Sequence, residues 1–293
     1  MKRVLITGAG SYVGTHVMSR LQEEPDKFEV QELSVKGDSW KTFDFSKFDV
    51  VYHVAGIAHV STDPSMESLY MHVNRDLTIE VAQVAKAAGV KQFIFMSSAI
   101  VYGDSVPAGT GKPITLDTKP NPANFYGRSK LEAEEGLRAL EDESFRVSIV
   151  RAPMIFGAHA KGNFPTLVSM ARKLPFFPDI KNNRSMIFVG NLAEFVAVLI
   201  TTGAKGTFLP QEGDYICTSD LVAQIAEING KRIALTKIFN LIIKHFFKNS
   251  DYVIKAFGDM YYNLLASDVG FTYRRYTTKE ALEQIAQEEG WAA

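Results

Sequence analysis

Apolar positions in the first half of the chain fall into short runs, separated by stretches with helical spacing. Arg3–Ile6 (RVLI) predicts a buried strand, followed by a glycine-rich turn and a helix to about Arg20. Phe28–Val35 predicts a second strand, and Val50–Val54 (VVYHV) a third, bounded by Asp49 and Ala55-Gly56. Leu69–Ala88 repeats apolar residues at helical spacing and stops at Gly89, a helix-terminating glycine. Phe93–Met96 (FIFM) reads as a buried strand, Tyr126–Leu140 as a helix rich in Glu, Lys and Ala, and Val147–Val150 as a further strand. The stretch from Val35 to Asp49 is too short for a full helix and a strand, and a short strand is expected at Thr42–Phe45.

This alternation predicts an α/β fold: a Rossmann-type, doubly wound parallel sheet with right-handed crossovers. Past Arg151 the texture changes. Pro153, Gly157, Gly162, Pro165, Pro175 and Pro178 break the chain into loops and short helices. Leu192–Thr201 predicts a helix returning to the first core, and Asp220–Ile228 a helix within a mixed tail. The expected division is a Rossmann domain over 1–155, with 189–203 returning to it. A smaller, mixed α/β part over 156–188 and 204–293 is expected to bind substrate across a cleft.

Composition narrows the classes. Across 293 residues, 46% are hydrophobic, enough for a sizeable core. Lys+Arg 32 against Asp+Glu 33 leaves a formal charge of -1. No global field recruits a polyanion, and the basic residues are dispersed, so no nucleic-acid partner is expected. One cysteine, Cys217 in YICTSD, excludes an internal disulfide, fits a reducing compartment and reads as structural. The N-terminus runs straight into the glycine turn without a signal-type apolar core, and no run of about 18 apolar residues exists. A cytoplasmic protein without membrane insertion is expected. The apolar stretch Ile238–Phe247 (IFNLIIKHFF) lacks a strongly basic face, and reads as a substrate-domain helix rather than a membrane-surface one. His53 and His59 straddle a strand–loop junction, and His16, His72, His159 and His245 are scattered, so no metal site is expected.

Chemistry concentrates at three places. Thr7-Gly8-Ala9-Gly10-Ser11-Tyr12-Val13-Gly14 lies directly between the first strand and the first helix. There a backbone without Cβ can approach a pyrophosphate, and a helix N-terminus presents free N–H groups, which predicts dinucleotide binding. Whether the second strand ends at Glu32, favouring NAD, or at Ser34 beside Lys36, favouring NADP, stays open, as does a merely exposed role for Glu29 and Glu32. In Tyr126-Gly127-Arg128-Ser129-Lys130 the lysine lies one helical turn after the tyrosine. A nearby ammonium is expected to stabilise the phenolate and lower its pKa from about 10. Ser98 follows the FIFM strand at the carboxyl edge, where open α/β sheets bind ligands.

These segments resemble the extended short-chain dehydrogenase/reductase family, in its sugar-nucleotide epimerase/dehydratase branch. The matching strings are LITGAGSYVG, DVVYHVAG, VNRDLT, FIFMSSAIVYG, YGRSK, VRAPMIFG and RSMIFVGNLAE. The resemblance implies that Ser98, Tyr126 and Lys130 form the proton relay, and that Lys130 also reaches the nicotinamide ribose. It implies that Asn74 fills the structural-catalytic asparagine position. Asp44, with Phe45 beside it, would meet the adenine, Ala55 and Gly56 would line the cofactor, and Arg151 and Pro153 would flank the nicotinamide. Asn163 and Arg184 would meet the phosphates of a nucleotide-diphosphate sugar, with UDP as the favoured handle.

Departures refine this. Ser11 stands at the middle glycine of the usual pattern, Phe188 at a family histidine, and Leu77 at a common glycine. Ala99 and Ile100 replace the Asp-Glu pair of 4,6-dehydratases, which excludes proton transfer for dehydration there. A 4-epimerase with tightly bound NAD is the leading expectation. The alternatives are an NAD(P)H-dependent reductase of a nucleotide-linked 4-keto sugar and a non-catalytic dinucleotide sensor. A homodimer through the Tyr126 helix and the helix near 69–88 fits the resemblance.

Overall fold

The computed structural model describes residues 1–57, 63–238, 240, 243 and 250–291. His59 and most of the Ile238–Phe247 stretch lie outside them. Six strands form one parallel sheet: β1 (Lys2–Thr7), β2 (Phe28–Leu33), β3 (Val50–His53), β4 (Gln92–Ser98), β5 (Arg146–Ala152) and, as its last member, Gly206–Phe208. Their order is β2-β1-β3-β4-β5 followed by Gly206–Phe208, so the chain reverses direction of travel between β1 and β3. That reversal opens a crevice at the carboxyl ends of β1, β3 and β4.

Burial on both faces explains why the strands read as continuous apolar runs. Val4 and Ile6 join one apolar cluster with Val50, Tyr52, Ile94 and Met96, beneath α1 (Tyr12–Gln22) and the helix Val189–Thr202. Leu5 points the other way, into a cluster with Val51, Phe93, Phe95 and Val147, beneath α2 (Leu77–Ala87) and α3 (Phe125–Leu140). The helix Val189–Thr202 packs against α1 and so does return to the sheet, as its periodicity suggests.

Three elements differ from expectation. Thr42–Phe45 forms no strand. Ser39–Thr42 and Phe45–Lys47 are 3-10 turns, because Trp40 and Phe45 turn inward and pack edge-on at 6.4 Å. The second strand ends at Leu33, whose carbonyl accepts from the Gly8 and Ala9 N–H groups. The stretch read as one helix over Leu69–Ala88 contains a π-helical turn, Met71–Asp76, between Glu67–Tyr70 and α2.

The rest of the chain packs around a third apolar cluster. It joins Phe164–Lys173, Thr218–Ile228 and Thr278–Glu288 through residues such as Leu167, Val222 and Leu282. Among the described residues no helix is long and apolar enough to cross a membrane.

Candidate active site

The glycine turn is shaped by backbone packing. Gly8 has φ +113°, and a Cβ there would lie 2.7 Å from the Ala55 nitrogen. Ala55 sits so close because its N–H donates to the Thr7 carbonyl at 3.0 Å, tying the ends of β1 and β3. Ser11 stands where the usual pattern has glycine because the position is not left-handed: its φ is -73°. Its Oγ caps α1, accepting from the Gly14 N–H at 3.2 Å. The first-turn N–H groups of Tyr12 and Val13 then have no intrahelical acceptor and remain for an anion. Only the backbone of Tyr12 serves the turn. Its phenol is buried against Gly157, and burial together with Glu288 and Glu289 raises its pKa.

The second strand ends at Leu33, between the two expected endpoints, and its acid Glu32 reaches the glycine turn. The Glu32 Oε1 accepts from the Gly10 N–H at 3.2 Å, whereas Lys36 is exposed beyond the strand end. A residue three places earlier, Glu29, lies on the exposed side of the strand.

Asn74 lies on the π-helical turn and is fully buried. Its Oδ1 accepts from the Ile57 N–H at 2.8 Å, and its Nδ2 donates to the Ile57 carbonyl and to Ser129 Oγ, each at 3.1 Å. It therefore fastens the segment after β3 to α3. Gly56 lies within that segment, and a Cβ there would meet Asn74 Oδ1 at 2.9 Å and Lys130 Nζ at 3.2 Å. The absence of a side chain at Gly56 leaves room for the ammonium beside the crevice.

Ser98, Tyr126 and Lys130 converge at that crevice. Ser98 ends β4 and caps the 3-10 turn Ala99–Tyr102, its Oγ accepting from the Ile100 N–H at 3.3 Å. Asn124 caps α3, which puts Tyr126 in its first turn and Lys130 one turn on. Lys130 Nζ donates to the Met96 carbonyl at 3.0 Å and lies 4.7 Å from the Phe95 ring centre. Burial pushes the Tyr126 phenol up to about 12, against the lowering effect of Ser98. Burial also pulls Lys130 down to about 8, with Glu134 opposing. The expected lowering of the phenol by the ammonium is not what acts here: desolvation and Tyr70 raise the phenol, and Ser98 is the group that lowers it.

Several expected site residues are placed elsewhere. Phe45 is 1% exposed and its ring packs among Trp40 and Phe43, so its side chain belongs to the core. The Asp44 carboxylate bonds its own turn, accepting from the Ser46 N–H at 3.1 Å and from Ser46 Oγ at 2.6 Å. Arg184 is buried, and its guanidinium donates to the carbonyls of Gly258 (2.9 Å), Ile254 (2.9 Å) and Lys255 (2.7 Å). Those carbonyls close the helix Asp251–Phe257, so the Nε and Nη2 groups expected to meet a diphosphate cap a helix instead. Burial lowers this guanidinium to about 10. Asn163 is exposed at the start of Phe164–Lys173, with no side-chain cap bond. Pro153 is buried just beyond β5, and the neighbouring Arg151 turns its guanidinium toward Glu134 and Tyr102.

Two buried groups escaped sequence reasoning. His53, expected only to pack, bridges Thr7 Oγ1 (2.7 Å) and Thr78 Oγ1 (3.0 Å) beneath the crevice. Burial, then the charge of Lys130, lowers it to about 3, so it is neutral. Glu134 lies one turn after Lys130 and is bound by Ser97, Arg138 and Arg151. Its spacing four residues after Lys130 was the available signal.

A model of the NAD dependent epimerase/dehydratase family matches residues 4–209. The chain is 32% identical over 250 residues to a UDP-glucose 4-epimerase of Vibrio cholerae, covering 77% of this chain and 75% of that protein. It is 30% identical over 251 residues to the N-acetyl-alpha-D-glucosaminyl-diphospho-ditrans,octacis-undecaprenol 4-epimerase of Escherichia coli O157:H7, covering 78% and 73% respectively. A dTDP-4-dehydrorhamnose reductase structure from Clostridium acetobutylicum matches with a TM-score of 0.73 at 18% identity, covering 98% of this chain and 99% of that one.

Proposed function

This chain belongs to the NAD-dependent epimerase/dehydratase family, and from that premise we propose that it inverts C4 of a UDP-linked hexose. It is an NAD(P)-dependent sugar-nucleotide enzyme. The observation carrying the reading is the convergence of Ser98 at the end of β4, and of Tyr126 and Lys130 on one face of α3, on the crevice that the Gly8–Gly14 turn borders.

The residues fit a dinucleotide. The Gly8 approach, the first turn of α1 and the Gly56 gap would hold its pyrophosphate and nicotinamide ends. Glu32 beside Gly10 suits free ribose hydroxyls and would repel a 2′-phosphate, which favours NAD. When bound, the dinucleotide takes and returns hydride at the sugar carbon. Ser98 would hold the C4 oxygen, Tyr126 would take and return its proton, and Lys130 would place positive charge beside the phenol. Ala99 and Ile100 carry no proton-transferring group, so elimination of water is not supported.

One observation favours a second reading, reduction of a pre-formed 4-keto sugar. The fold is shared, over 98% of this chain and at 18% identity, with a dTDP-4-dehydrorhamnose reductase. Proton NMR of the purified protein with UDP-glucose and, separately, UDP-N-acetylglucosamine, without added cofactor, separates the two. Appearance of the C4 epimer is expected. Unchanged sugars with a competent cofactor site would overturn the epimerase in favour of the reductase, tested next with 4-keto sugars and NAD(P)H. Tyr126→Phe should abolish turnover and retain dinucleotide binding, since it removes only the transferable proton. Surviving turnover would refute the relay.

A further inference from the structure

Lys130 and Glu134 occupy successive turns of one face of α3, and both are buried. The Glu134 carboxylate accepts from Ser97 Oγ at 2.6 Å and from Arg151 Nη2 at 2.5 Å and Nε at 3.0 Å. Arg151 donates through Nη1 to the Tyr102 hydroxyl at 2.6 Å, and its guanidinium lies 4.9 Å from the centre of that ring. Tyr102 is the last residue of the 3-10 turn that Ser98 caps. From the other side, the Tyr262 hydroxyl donates to the Arg151 carbonyl at 2.7 Å. One carboxylate thus connects the helix of Tyr126 and Lys130 to the turn of Ser98.

Burying an ion pair is a poor route to stability, since well-packed apolar residues of the same volume do as well or better. Fixed geometry is what the pair supplies here. We propose that Glu134 is a positioning residue: through Arg151 and Tyr102 it holds the Ser98 turn against Tyr126, and its charge is set behind Lys130. The proposal rests on reading Ser98, Tyr126 and Lys130 as the proton-transfer group.

The groups around this unit are few. Lys130 is faced by Tyr126 on its own helix and by His53 at the end of β3, which burial keeps neutral. Glu134 is faced by Arg138 on its own helix, by Arg151 on β5, and beyond it by Tyr102 and Tyr262. Glu134 is therefore the negative charge that acts on Lys130, in the direction of keeping it protonated.

Two variants test this. Tyr102→Phe removes only the acceptor of Arg151, and should lower kcat about tenfold with KM and dinucleotide retention unchanged. Glu134→Gln should lower the titration midpoint of Lys130, followed by 15Nζ NMR without sugar, by at least about half a unit. Where that variant does not fold, Glu134→Gln with Arg151→Met removes the charge without leaving a lone buried cation, and the same shift is expected. Wild-type kcat in Tyr102→Phe, or an unmoved Lys130 midpoint in the folded Glu134 variant, overturns the proposal. If the wild type turns over no sugar, the functional reading fails, and the Lys130 titration still decides this one.

Discussion

The two walls of the crevice are built by different means. On the dinucleotide side, consecutive backbone does the work: Gly8 packs on Ala55, Ser11 caps α1, and β1 ties directly to β3. On the opposite side, single side chains reach across long stretches of sequence. Arg184 gathers three carbonyls around residues 254–258, and Asp259 accepts from the N–H groups of Gly109, Gly111 and Asn183. Backbone construction fixes one shape, because its bonds are dictated by strand register. Side-chain construction depends on partners far apart in sequence, so the same fold can present different surfaces there.

Substitutions should break the two walls differently. Gly8→Ala should have the largest effect, because φ +113° and a Cβ 2.7 Å from a backbone nitrogen leave nothing flexible to move. A loss of roughly 3 kcal/mol in urea unfolding is expected, together with loss of bound dinucleotide. A stable variant that retained dinucleotide would refute the backbone account.

Arg184→Met should come next. It removes three hydrogen bonds, leaving the Ile254 carbonyl with the Gly258 N–H and the Gly258 carbonyl with Asn182 Nδ2, and should cost about 2 kcal/mol, while dinucleotide retention stays at the wild-type level. Loss of dinucleotide in that variant would show that the walls are not independent.

The gentlest test uses pH. His53 falls from 6.5 to about 3 on folding, so the unfolded state binds its proton first as pH drops. The stability this group supplies is complete above pH 6.5 and is lost progressively down toward its folded value. Between about pH 7 and 5.5 the loss should be about 1 kcal/mol, and His53→Gln should remove that slope from urea-unfolding curves. An identical slope in the variant would place the titration elsewhere.

Much of this site is legible in the amino-acid sequence. Period-two burial, with Val4 and Ile6 on one face and Leu5 on the other, follows from strands covered on both sides. The spacing of Tyr126 and Lys130 already places them on one helix face, and the glycine turn already lies between a strand and a helix. Ser11 shows where a pattern alone misleads. It departs from the glycine series, yet the turn survives because that position never becomes left-handed. The Leu69–Ala88 periodicity is real, but apolar spacing does not register a π-helical turn, which here carries Asn74.

What the sequence determined by itself was local: which segments are strands or helices, where backbone must approach closely, and which side chains share a helix face. These follow from periodicities and sterics that act within a few residues. The tertiary structure alone decided where Arg184 donates, that Phe45 is buried, and that burial raises the Tyr126 phenol while it pulls Lys130 down. Each depends on desolvation and on hydrogen-bond partners distant in sequence, such as Arg151 and Tyr262, 111 positions apart. Such partners and the loss of water arise only when the chain closes on itself.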